Sequence, residues 1–458
     1  MEKSRVLVVG GTGYIGRRIV KASLAQGHET FVLMRPEIGL DIDKLLMLLA
    51  FKAQGARLVE ASLDDHHALV AAVKQVDVVV SAMSGVHFRS HNLMLQLKLV
   101  EAIKEAGNVK IRRDPPLQRR GDQMNPWPSQ RHQEIAADKV DEEAGMEKSR
   151  VLVVGGTGYI GRRIVKASLA QGHETFVLMR PEIGLDIDKL LMLLVFKAQG
   201  ARLVEASLDD HHALVAAVKQ VDVVVSAMSG VHFRSHNLML QLKLVEAIKE
   251  AGNVKRFLPS EFGMDPARMG HALEPGRVTF DEKMEIRRRI QEANIPHTYI
   301  SANCFATYFV PNLCQMCTLL PPKEKVHIYG DGNVKAVFMD EDDVGTYTIK
   351  CIDDPRALNK TIYLRPTENI LSQNELIAKW ENLSGKVLEK IPITCDEFLA
   401  SMEGMDFANQ VGVGHYYHIF YEGCLTNFDI EEDGEEEASL LYPEVQYTRM
   451  DECMKRYL

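Results

Sequence analysis

The glycines of one short motif are the first residues whose spacing indicates a chemistry. GGTGYIG at 155–161 satisfies both GxxGxxG and GxGxxG, between the apolar run VLVV and the amphipathic run GRRIVKASLAQG. Glycines between a strand and a helix allow a tight turn, and they let the backbone approach a pyrophosphate that lies on the amides of the helix N-terminus. The context favours a dinucleotide-binding turn over a purely structural one. The predicted cofactor-binding residues are Gly155, Gly156, Thr157, Gly158, Tyr159, Ile160 and Gly161.

The same motif occurs twice, because residues 1–110 recur as residues 146–255 with one difference, Ala50 against Val195. In the first copy Lys110 is followed by IRRDPP, whereas in the second Lys255 is followed by RFLPSEFG. The first copy therefore lacks the last strand of a nucleotide-binding half, and we expect its site to be non-productive. Its equivalent residues are Gly10, Gly11, Thr12, Gly13, Tyr14, Ile15, Gly16, Arg35 and Lys44.

Two cations follow the second predicted strand of the second copy. Arg180 lies in VLMRPE and Lys189 in DIDK. An NAD site usually has an acidic residue there for the ribose 2′-hydroxyl. Either cation alone could be a solvated surface charge, but together they suit a 2′-phosphate, so the predicted cofactor is NADPH.

A lysine is the candidate for the proton chemistry. The chain contains no YxxxK pair, which short-chain dehydrogenases use, but FDEKMEIRRRI places Lys283 on a basic helix. A lysine beside a cofactor and several arginines can have its pKa lowered by desolvation and like charge, which makes it a usable base. The alternative is a solvated charge on a helix face.

Alternating strands and helices must position these residues. From Arg150 to FLPSEFG the strand and helix patterns alternate, which predicts an α/β fold with a doubly wound parallel Rossmann sheet. Beyond Asp281 we predict a basic helix, the strand HTYISA, a hairpin in VHIYGDGNVKAVFM and later helices, as a smaller C-terminal substrate lobe. The predicted domains are a truncated duplicate at 1–110, a disordered linker at 111–145 and a complete enzyme at 146–458, with its Rossmann part at 146–300.

The composition excludes several classes of protein. A net charge of −9 gives no reason to expect a nucleic-acid or membrane-surface partner, and no apolar run approaches the length of a transmembrane helix. MEKSRVLVVGG does not resemble a signal peptide, so the expected location is the cytosol. No metal is expected: Cys314 and Cys317 form one CxxC in an apolar segment and are interpreted as buried thiols, and the run DEDD at 340–343 suits a helix N-terminus.

Several longer motifs resemble one plant enzyme family. They are GGTGYIG, MRPE with DK, FLPSEFGMDP, HALEPG, DEKMEIRRRI, IYGDGNVKAVFMDEDDVGTYTIK, LNKTIYLRP and LYPEVQY. Together they resemble the pinoresinol–lariciresinol reductases, within the isoflavone reductase and phenylcoumaran benzylic ether reductase family of NmrA-like short-chain dehydrogenases. The resemblance covers essentially all of residues 146–458.

The resemblance implies roles for single residues. Lys283 would be the general base, Arg287 would contact the nicotinamide nucleotide, and His415 in GHYYHIF would touch the substrate. Arg180 and Lys189 would hold the 2′-phosphate. The implied activity is NADPH-dependent opening of the benzylic ether of a furanofuran lignan, a small phenolic substrate.

Some alternatives stay open. A phenylcoumaran or isoflavonoid reductase would use the same cofactor and lysine, and an NmrA-like sensor would bind NADP(H) without turnover. Substrate choice is expected in VHFRSHN and GVGHYYHIF, and a homodimer is left open. Phe305, Tyr308, Phe309, Tyr416 and Tyr417 could line an aromatic-substrate pocket or pack in the core.

Overall fold

The structure, a computed structural model, describes residues 3–35, 42–83, 96–109, 148–181, 183, 186–228, 238–430 and 434–458. The predicted linker at 111–145 and the VHFRSHN segments lie outside the described residues. The chain divides into two compact units, Met1–Pro36 with Ala50–Glu147 and Glu37–Leu49 with Lys148–Leu458. Part of the first copy thus belongs to the same unit as the second copy, a division that the repeat boundary does not predict.

The first unit contains a parallel sheet of four strands in the order β3-β2-β1-β4. Among the described residues, this sheet has no strand that corresponds to the one that follows Lys255 in the second copy. The elements of the first copy are β1 (Arg5–Val9), α1 (Gly16–Ala25), β2 (Glu29–Met34), α2 (Ile42–Ala53), β3 (Arg57–Glu60), α3 (His66–Lys74), β4 (Val78–Ser81) and α4 (Gln96–Ala106).

The second copy forms a five-stranded parallel sheet in the order β7-β6-β5-β8-β9. The fifth strand, which comes from RFL after Lys255, pairs in parallel with the fourth, Val223 beside Arg256. The elements are β5 (Val151–Val154), α5 (Gly161–Ala170), β6 (Thr175–Met179), α6 (Ile187–Ala198), β7 (Arg202–Glu205), α7 (His211–Val218), β8 (Val223–Ser226), α8 (Gln241–Ala251) and β9 (Arg256–Leu258). The α/β fold with parallel strands is confirmed.

Local sequence explains where these elements begin and end. Strands β5 and β8 are buried along their whole length, as expected for the apolar runs of a parallel sheet covered on both faces. Helix α7 begins after Asp210, whose side chain accepts a hydrogen bond from the Ala213 amide, and α8 ends at Gly252 in the left-handed conformation. Because β5 and β8 pair in parallel, their carboxyl ends lie at the same edge of the sheet.

The C-terminal part extends this sheet and adds a lobe. An isolated bridge joins Phe257 to His297, and beyond it a second sheet has the order β10-β14-β17. The remaining elements are α9 (Val278–Glu292), β10 (Thr298–Ser301), β11 (Cys304–Phe305), α10 (Ala306–Phe309), β12 (Lys325–Tyr329), β13 (Lys335–Met339), α11 (Glu341–Lys350), β14 (Lys360–Tyr363), β15 (Ile370–Ser372), α12 (Gln373–Ser384), β16 (Glu389–Ile393), α13 (Cys395–Ala400), α14 (Phe407–Tyr417), β17 (Glu435–Glu437), α15 (Ala438–Leu441) and α16 (Met450–Lys455). No described helix has the length and apolarity to cross a bilayer.

The predicted hairpin in VHIYGDGNVKAVFM is wrong. Its first strand, β12, pairs in parallel with β16, and its second strand, β13, pairs with β11 and with β15. The reason is burial: Ala336 to Met339 are all buried, so β13 needs partners inside the lobe, whereas β12 alternates between exposed and buried residues near its start. The turn glycines Gly330 and Gly332 therefore connect two different sheets.

The two copies differ most clearly in what covers their first helix. Helix α5 packs closely against α11, where a Cβ on Gly345 would lie 2.9 Å from the backbone of Arg163. Ile160 is 8% exposed, whereas the equivalent Ile15 is 55% exposed. The C-terminal part of the chain thus buries a helix face that the first unit leaves in solvent.

This difference predicts unequal effects of matched core substitutions. Ile164 is 0% exposed and the equivalent Ile19 is half-buried. Ile164→Ala should lower the free energy of unfolding of the second unit by about 2–5 kcal/mol through lost burial and the cavity left behind. The buried Trp380, the remaining tryptophan in a Trp127→Phe background, reports that transition by fluorescence during denaturant unfolding.

Ile19→Ala is the matched control. It should leave the Trp380 transition where it is, because Ile19 belongs to the other unit. Equal shifts for the two variants would contradict the different burial of the two helices.

Candidate active site

Lys283 lies on helix α9, and its amine faces a cavity of about 260 Å³. Its Nζ donates a hydrogen bond to the backbone carbonyl of Glu261, at 3.2 Å. Gly158 of the glycine loop also lines this cavity. The structure thus places the predicted base and the predicted cofactor loop at the same cavity.

A buried ion cluster lies directly behind the lysine. Arg287 follows Lys283 by one helical turn, and its guanidinium donates to the Glu261 carboxylate from Nε at 2.9 Å and from Nη2 at 2.5 Å. The same Nη2 lies 2.9 Å from a carboxylate oxygen of Asp265. The side chains of Arg287 and Glu261 are 8% and 2% exposed.

The structure does not bring Arg287 to the cavity wall that Lys283 and Gly158 share. The nucleotide contact that the resemblance implies for Arg287 therefore has no support in this geometry, because two buried carboxylates already take its guanidinium. The sequence motifs did not single out Glu261. The signal that could have found it is its place in SEFG, directly after a buried strand end.

The surroundings of Lys283 alter its protonation. Burial lowers the pKa of the amine, and the positive charge of Arg287 lowers it further, while the carboxylates of Glu261 and Asp265 oppose both effects. Burial wins because a low-dielectric cavity disfavours the ammonium form. The neutral amine, which can accept a proton, is thus favoured at a lower pH than for an exposed lysine.

His415 lines the same cavity from helix α14. Its ring lies 5.2 Å from that of Phe280, centroid to centroid. Burial lowers the pKa of His415 to about 4, against an opposing hydrogen bond with the Gly276 backbone. The imidazole is therefore neutral at neutral pH and can donate or accept a hydrogen bond without adding charge.

The aromatic candidates divide into two groups. Phe305 and Tyr308 line the cavity. Phe309 and Tyr416 stack on each other at 5.3 Å, and both pack against the core of the lobe, as Tyr417 does. The apolar wall of the cavity is completed by Met228, Leu238, Phe262, Met264 and Phe280.

Tyr159 of the glycine loop also lines the cavity and is held by Glu341. Its hydroxyl donates to Glu341 at 2.9 Å, and the other oxygen of Glu341 accepts from the Thr307 hydroxyl, also at 2.9 Å. Burial raises the pKa of Glu341 and, with the help of the Glu341 charge, that of Tyr159. In the DEDD run, Asp340 caps helix α11 by accepting from the Asp342 amide.

The glycine loop has the geometry that a dinucleotide requires. Gly155 has φ +82°, and a Cβ there would lie 2.7 Å from the carbonyl oxygen of Ala227. A Cβ on Gly161 would lie 2.1 Å from the carbonyl oxygen of Gly155. Side chains are thus excluded where the loop meets the N-terminus of α5, so this cradle fits a pyrophosphate on the helix amides.

Arg180 and Lys189 flank the next loop. Arg180 is exposed and follows β6 directly, while Lys189 lies in the first turn of α6 with its Nζ 3.0 Å from the Asp186 carboxylate. The Arg180 position, at the carboxyl end of the second strand, is the one that reads the ribose 2′ substituent in such folds.

The first copy repeats the loop geometry. Gly10 has φ +79°, and a Cβ on Gly16 would lie 2.0 Å from the Gly10 carbonyl oxygen. Arg35 is exposed after β2, and Lys44 lies in the first turn of α2. Tyr14 is 39% exposed, whereas the equivalent Tyr159 is partly buried and bonded to Glu341.

The CxxC cysteines differ in burial. Cys314 is buried as expected, but Cys317 is exposed. The interpretation of both as buried thiols is therefore wrong for Cys317.

Two histidines and a glutamate of the lobe lie together. Glu422 bridges the rings of His271 and His418, and the other nitrogen of His418 accepts from the Leu273 amide at 2.9 Å.

Comparisons with known proteins identify the family of this chain. The NmrA-like family profile matches residues 2–111 and 147–454. An isoflavone reductase homolog from Lupinus albus is 74% identical over 313 residues, which are 68% of this chain and 100% of that protein. A bifunctional pinoresinol-lariciresinol reductase from Linum perenne is 69% identical over 314 residues, again 68% of this chain and 100% of that protein.

A solved structure described as AtPrR2 with NADP+ and (+)pinoresinol is also similar. It is 64% identical, covers 69% of this chain and 100% of its own, and has a TM-score of 0.67. These relatives correspond in length to the second copy and its C-terminal part, without the first copy. The chain therefore belongs to the NmrA-like family, within its pinoresinol–lariciresinol reductase group.

Proposed function

We propose that residues 146–458 form an NADPH-dependent reductase that opens the benzylic ether of furanofuran lignans, converting pinoresinol to lariciresinol and then to secoisolariciresinol. The observation that carries the proposal is the position of the Lys283 amine, desolvated in an apolar, aromatic-walled cavity that also includes the glycine loop. Relatives named for pinoresinol reduction support the substrate class.

The residues that would hold NADPH follow from the loop and strand ends. The amides around Gly155, Gly158 and Gly161 would bind the pyrophosphate, and Arg180 with Lys189 would bind the 2′-phosphate. Bound NADPH supplies the hydride. The walls formed by Phe305, Tyr308 and Phe280 exclude water from the reacting carbon and stack on phenolic rings.

The lysine begins the reaction as a neutral amine. Its Nζ takes the proton of the substrate's phenol, and the electron pair moves through the ring and breaks the benzylic carbon–oxygen bond. The products of this step are a quinone methide and an alkoxide, and the alkoxide takes a proton from solvent water. Once the benzylic carbon is reduced and the ring is again an aromatic phenolate, the Lys283 ammonium would return its proton to the phenolate oxygen. His415 would orient the substrate by a hydrogen bond, since it is neutral.

Arg287 would act as a positioning residue rather than as a nucleotide ligand. It holds the Glu261 carboxylate, and the carbonyl of the same residue receives the hydrogen bond from Lys283. Its charge also helps to lower the pKa of the lysine. Glu261 and Arg287 together would thus set both the place and the proton affinity of the base.

The alternative is a reductase of phenylcoumaran benzylic ethers or isoflavonoids with the same base, which the similarity to an isoflavone reductase homolog favours. An NADP(H) sensor would bind the cofactor without oxidising it. Incubation with NADPH and a panel of racemic lignans, phenylcoumarans and isoflavones, followed by chiral product analysis, separates these functions. For the enzyme we also propose a cytosolic location.

Removal of the base gives the first test. Lys283→Ala should lower single-turnover hydride transfer roughly 10²–10⁴-fold at saturating NADPH, the usual contribution of a positioned general base. NADPH binding should change little. A rate within a few-fold of the wild type would exclude Lys283 from the chemistry.

The pH profile tests the protonation of the same lysine. Burial lowers its pKa, so activity should rise with pH along a limb centred below the ordinary lysine value of about 10.4. Arg287→Met removes a positive charge that lowers the pKa of Lys283. It also takes the arginine partner from the Glu261 carboxylate, and that negative charge raises the pKa of Lys283. The rising limb should therefore move to higher pH. Arg287→Lys should restore part of the shift. If the Arg287→Met variant loses folded protein but the pH limb of its remaining activity does not move, the role of Arg287 is purely structural.

The two copies allow a matched test of cofactor choice. Arg180→Ala should weaken the binding of NADPH relative to that of NADH by about 1.5–3 kcal/mol, roughly 10- to 150-fold, because a charge-assisted hydrogen bond to the 2′-phosphate is lost. Arg35→Ala, the same change in the first copy, should leave turnover unchanged. Equally weakened binding of NADPH and NADH in Arg180→Ala would contradict the assignment of Arg180 to the 2′-phosphate.

A further inference from the structure

Glu341 belongs to the acidic run DEDD at 340–343, but its side chain is placed unlike that of its neighbour. The side chain of Asp342 is 74% exposed and pairs with Arg163, whereas Glu341 is 1% exposed. An acidic residue in the first turn of a helix stabilises that helix from the solvent side as well. A buried carboxylate is costly unless it is hydrogen-bonded, so the N-terminus of α11 alone does not explain the burial of Glu341.

Both oxygens of this carboxylate accept hydrogen bonds from two segments of the cavity wall. One oxygen accepts from the Tyr159 hydroxyl at 2.9 Å and from the Thr307 amide at 3.1 Å. The other oxygen accepts from the Thr307 hydroxyl at 2.9 Å. Along the chain, Thr307 lies between Phe305 and Tyr308, which both line the cavity. Glu341 thus joins the glycine loop to the segment that carries the aromatic wall.

The ring of Tyr159 is packed against that wall. Its centroid lies 5.3 Å from the centroid of Tyr308, edge to face, and 6.1 Å from the centroid of Phe305. All three residues line the cavity that the Lys283 amine faces. Tyr159 therefore belongs to the glycine loop by its backbone and to the aromatic wall by its side chain.

The first copy contains the same loop in other surroundings. Its Tyr14 is 39% exposed, yet Gly10 has φ +79°, close to the +82° of Gly155. The backbone that would bind a pyrophosphate thus forms with the tyrosine side chain in solvent. The hydrogen bond from Tyr159 to Glu341 is therefore not needed for the cofactor loop, and its effect lies in the position of the tyrosine ring.

We propose that Glu341 is a positioning residue for the substrate: it fixes the Tyr159 ring as a wall of the site for the phenolic substrate and thereby sets the affinity for that substrate. This inference rests on the proposed function, and it gives a substrate role to a side chain whose motif indicates only a cofactor role. A ring that is already held loses less freedom when a substrate ring packs on it, so the substrate binds more tightly.

The test is the steady-state kinetics of the full chain with a substrate that the wild type reduces. Glu341→Leu removes both acceptor oxygens and should raise KM roughly 3- to 10-fold, the effect of one weakened aromatic contact. The value of kcat and the dissociation constant of NADPH should stay near those of the wild type, because only ground-state binding of the substrate is lost. Glu341→Gln keeps an acceptor oxygen for Tyr159 and an amide that can donate to the Thr307 hydroxyl, so it should retain the wild-type KM.

Two tyrosine variants provide the matched control. Tyr159→Phe removes only the hydroxyl that Glu341 holds and should raise KM in the same direction, whereas Tyr14→Phe in the first copy should leave KM unchanged. The double variant Tyr159→Phe, Glu341→Leu should have a KM no higher than that of the more affected single variant, because both changes remove the same hydrogen bond. If Glu341→Leu does not fold, Tyr159→Phe decides the question, since it leaves no buried charge without a partner.

Three kinetic results would overturn the proposal. An unchanged KM in Tyr159→Phe would mean that the carboxylate serves only the packing of α11. A lower kcat with an unchanged KM in Glu341→Leu would place Glu341 in the chemistry instead. Effects on KM that multiply in the double variant would mean that Tyr159 and Glu341 act independently.

A measurement without turnover separates this inference from the proposed function. In protein labelled with fluorotyrosine, the fluorine NMR signals that disappear in Tyr159→Phe and in Tyr14→Phe identify the held and the exposed tyrosine. In Glu341→Leu the Tyr159 signal should move toward that of Tyr14. An unmoved Tyr159 signal would overturn the positioning role, whereas a wild type that reduces no lignan, phenylcoumaran or isoflavone would refute the proposed function alone.

Discussion

The buried ion pair of Arg287 with Glu261 and Asp265 is the interaction on which the site depends. It joins helix α9 to the segment that follows the last strand of the five-stranded sheet. Removal of one partner from such a pair typically costs about 3–5 kcal/mol, because the other charge stays buried and uncompensated. The pair therefore holds Lys283, one turn away on the same helix, in a single position relative to the glycine loop.

Burial then shifts the pKa of three groups at or near the cavity. It lowers the pKa of Lys283 and of His415, and it raises the pKa of Glu341. All three shifts favour the neutral form, because an apolar cavity opposes charge of either sign. A neutral amine in a wall of aromatic side chains is suited to take a proton from a phenol, and it offers little to a charged substrate.

The duplication acts as an internal comparison of sequence with environment. The two glycine loops have nearly the same backbone, with φ +79° at Gly10 and +82° at Gly155, because each copy supplies the same steric limits, including the carbonyl oxygen of Ala82 or Ala227. Their neighbours differ: Tyr159 bonds to Glu341, and its copy Tyr14 is exposed. A binding loop thus follows from local sequence, whereas a working site requires the lobe that covers it.

The sequence by itself determined the alternation of strands and helices, the glycine turn, the cations after the second strand and the choice of Lys283, since periodicity and steric limits are local properties. It could not determine that Arg287 faces two carboxylates, because Glu261 and Asp265 are far from it along the chain and close only after folding. The hairpin in VHIYGDGNVKAVFM was wrong for the same reason: the turn glycines are local, but the partners of each strand are not. Only the tertiary structure distinguished Phe305 and Tyr308 on the cavity wall from Phe309 and Tyr416 in the core. Burial is a property of the neighbours that folding supplies, and identical helices therefore acquire different surroundings in one chain.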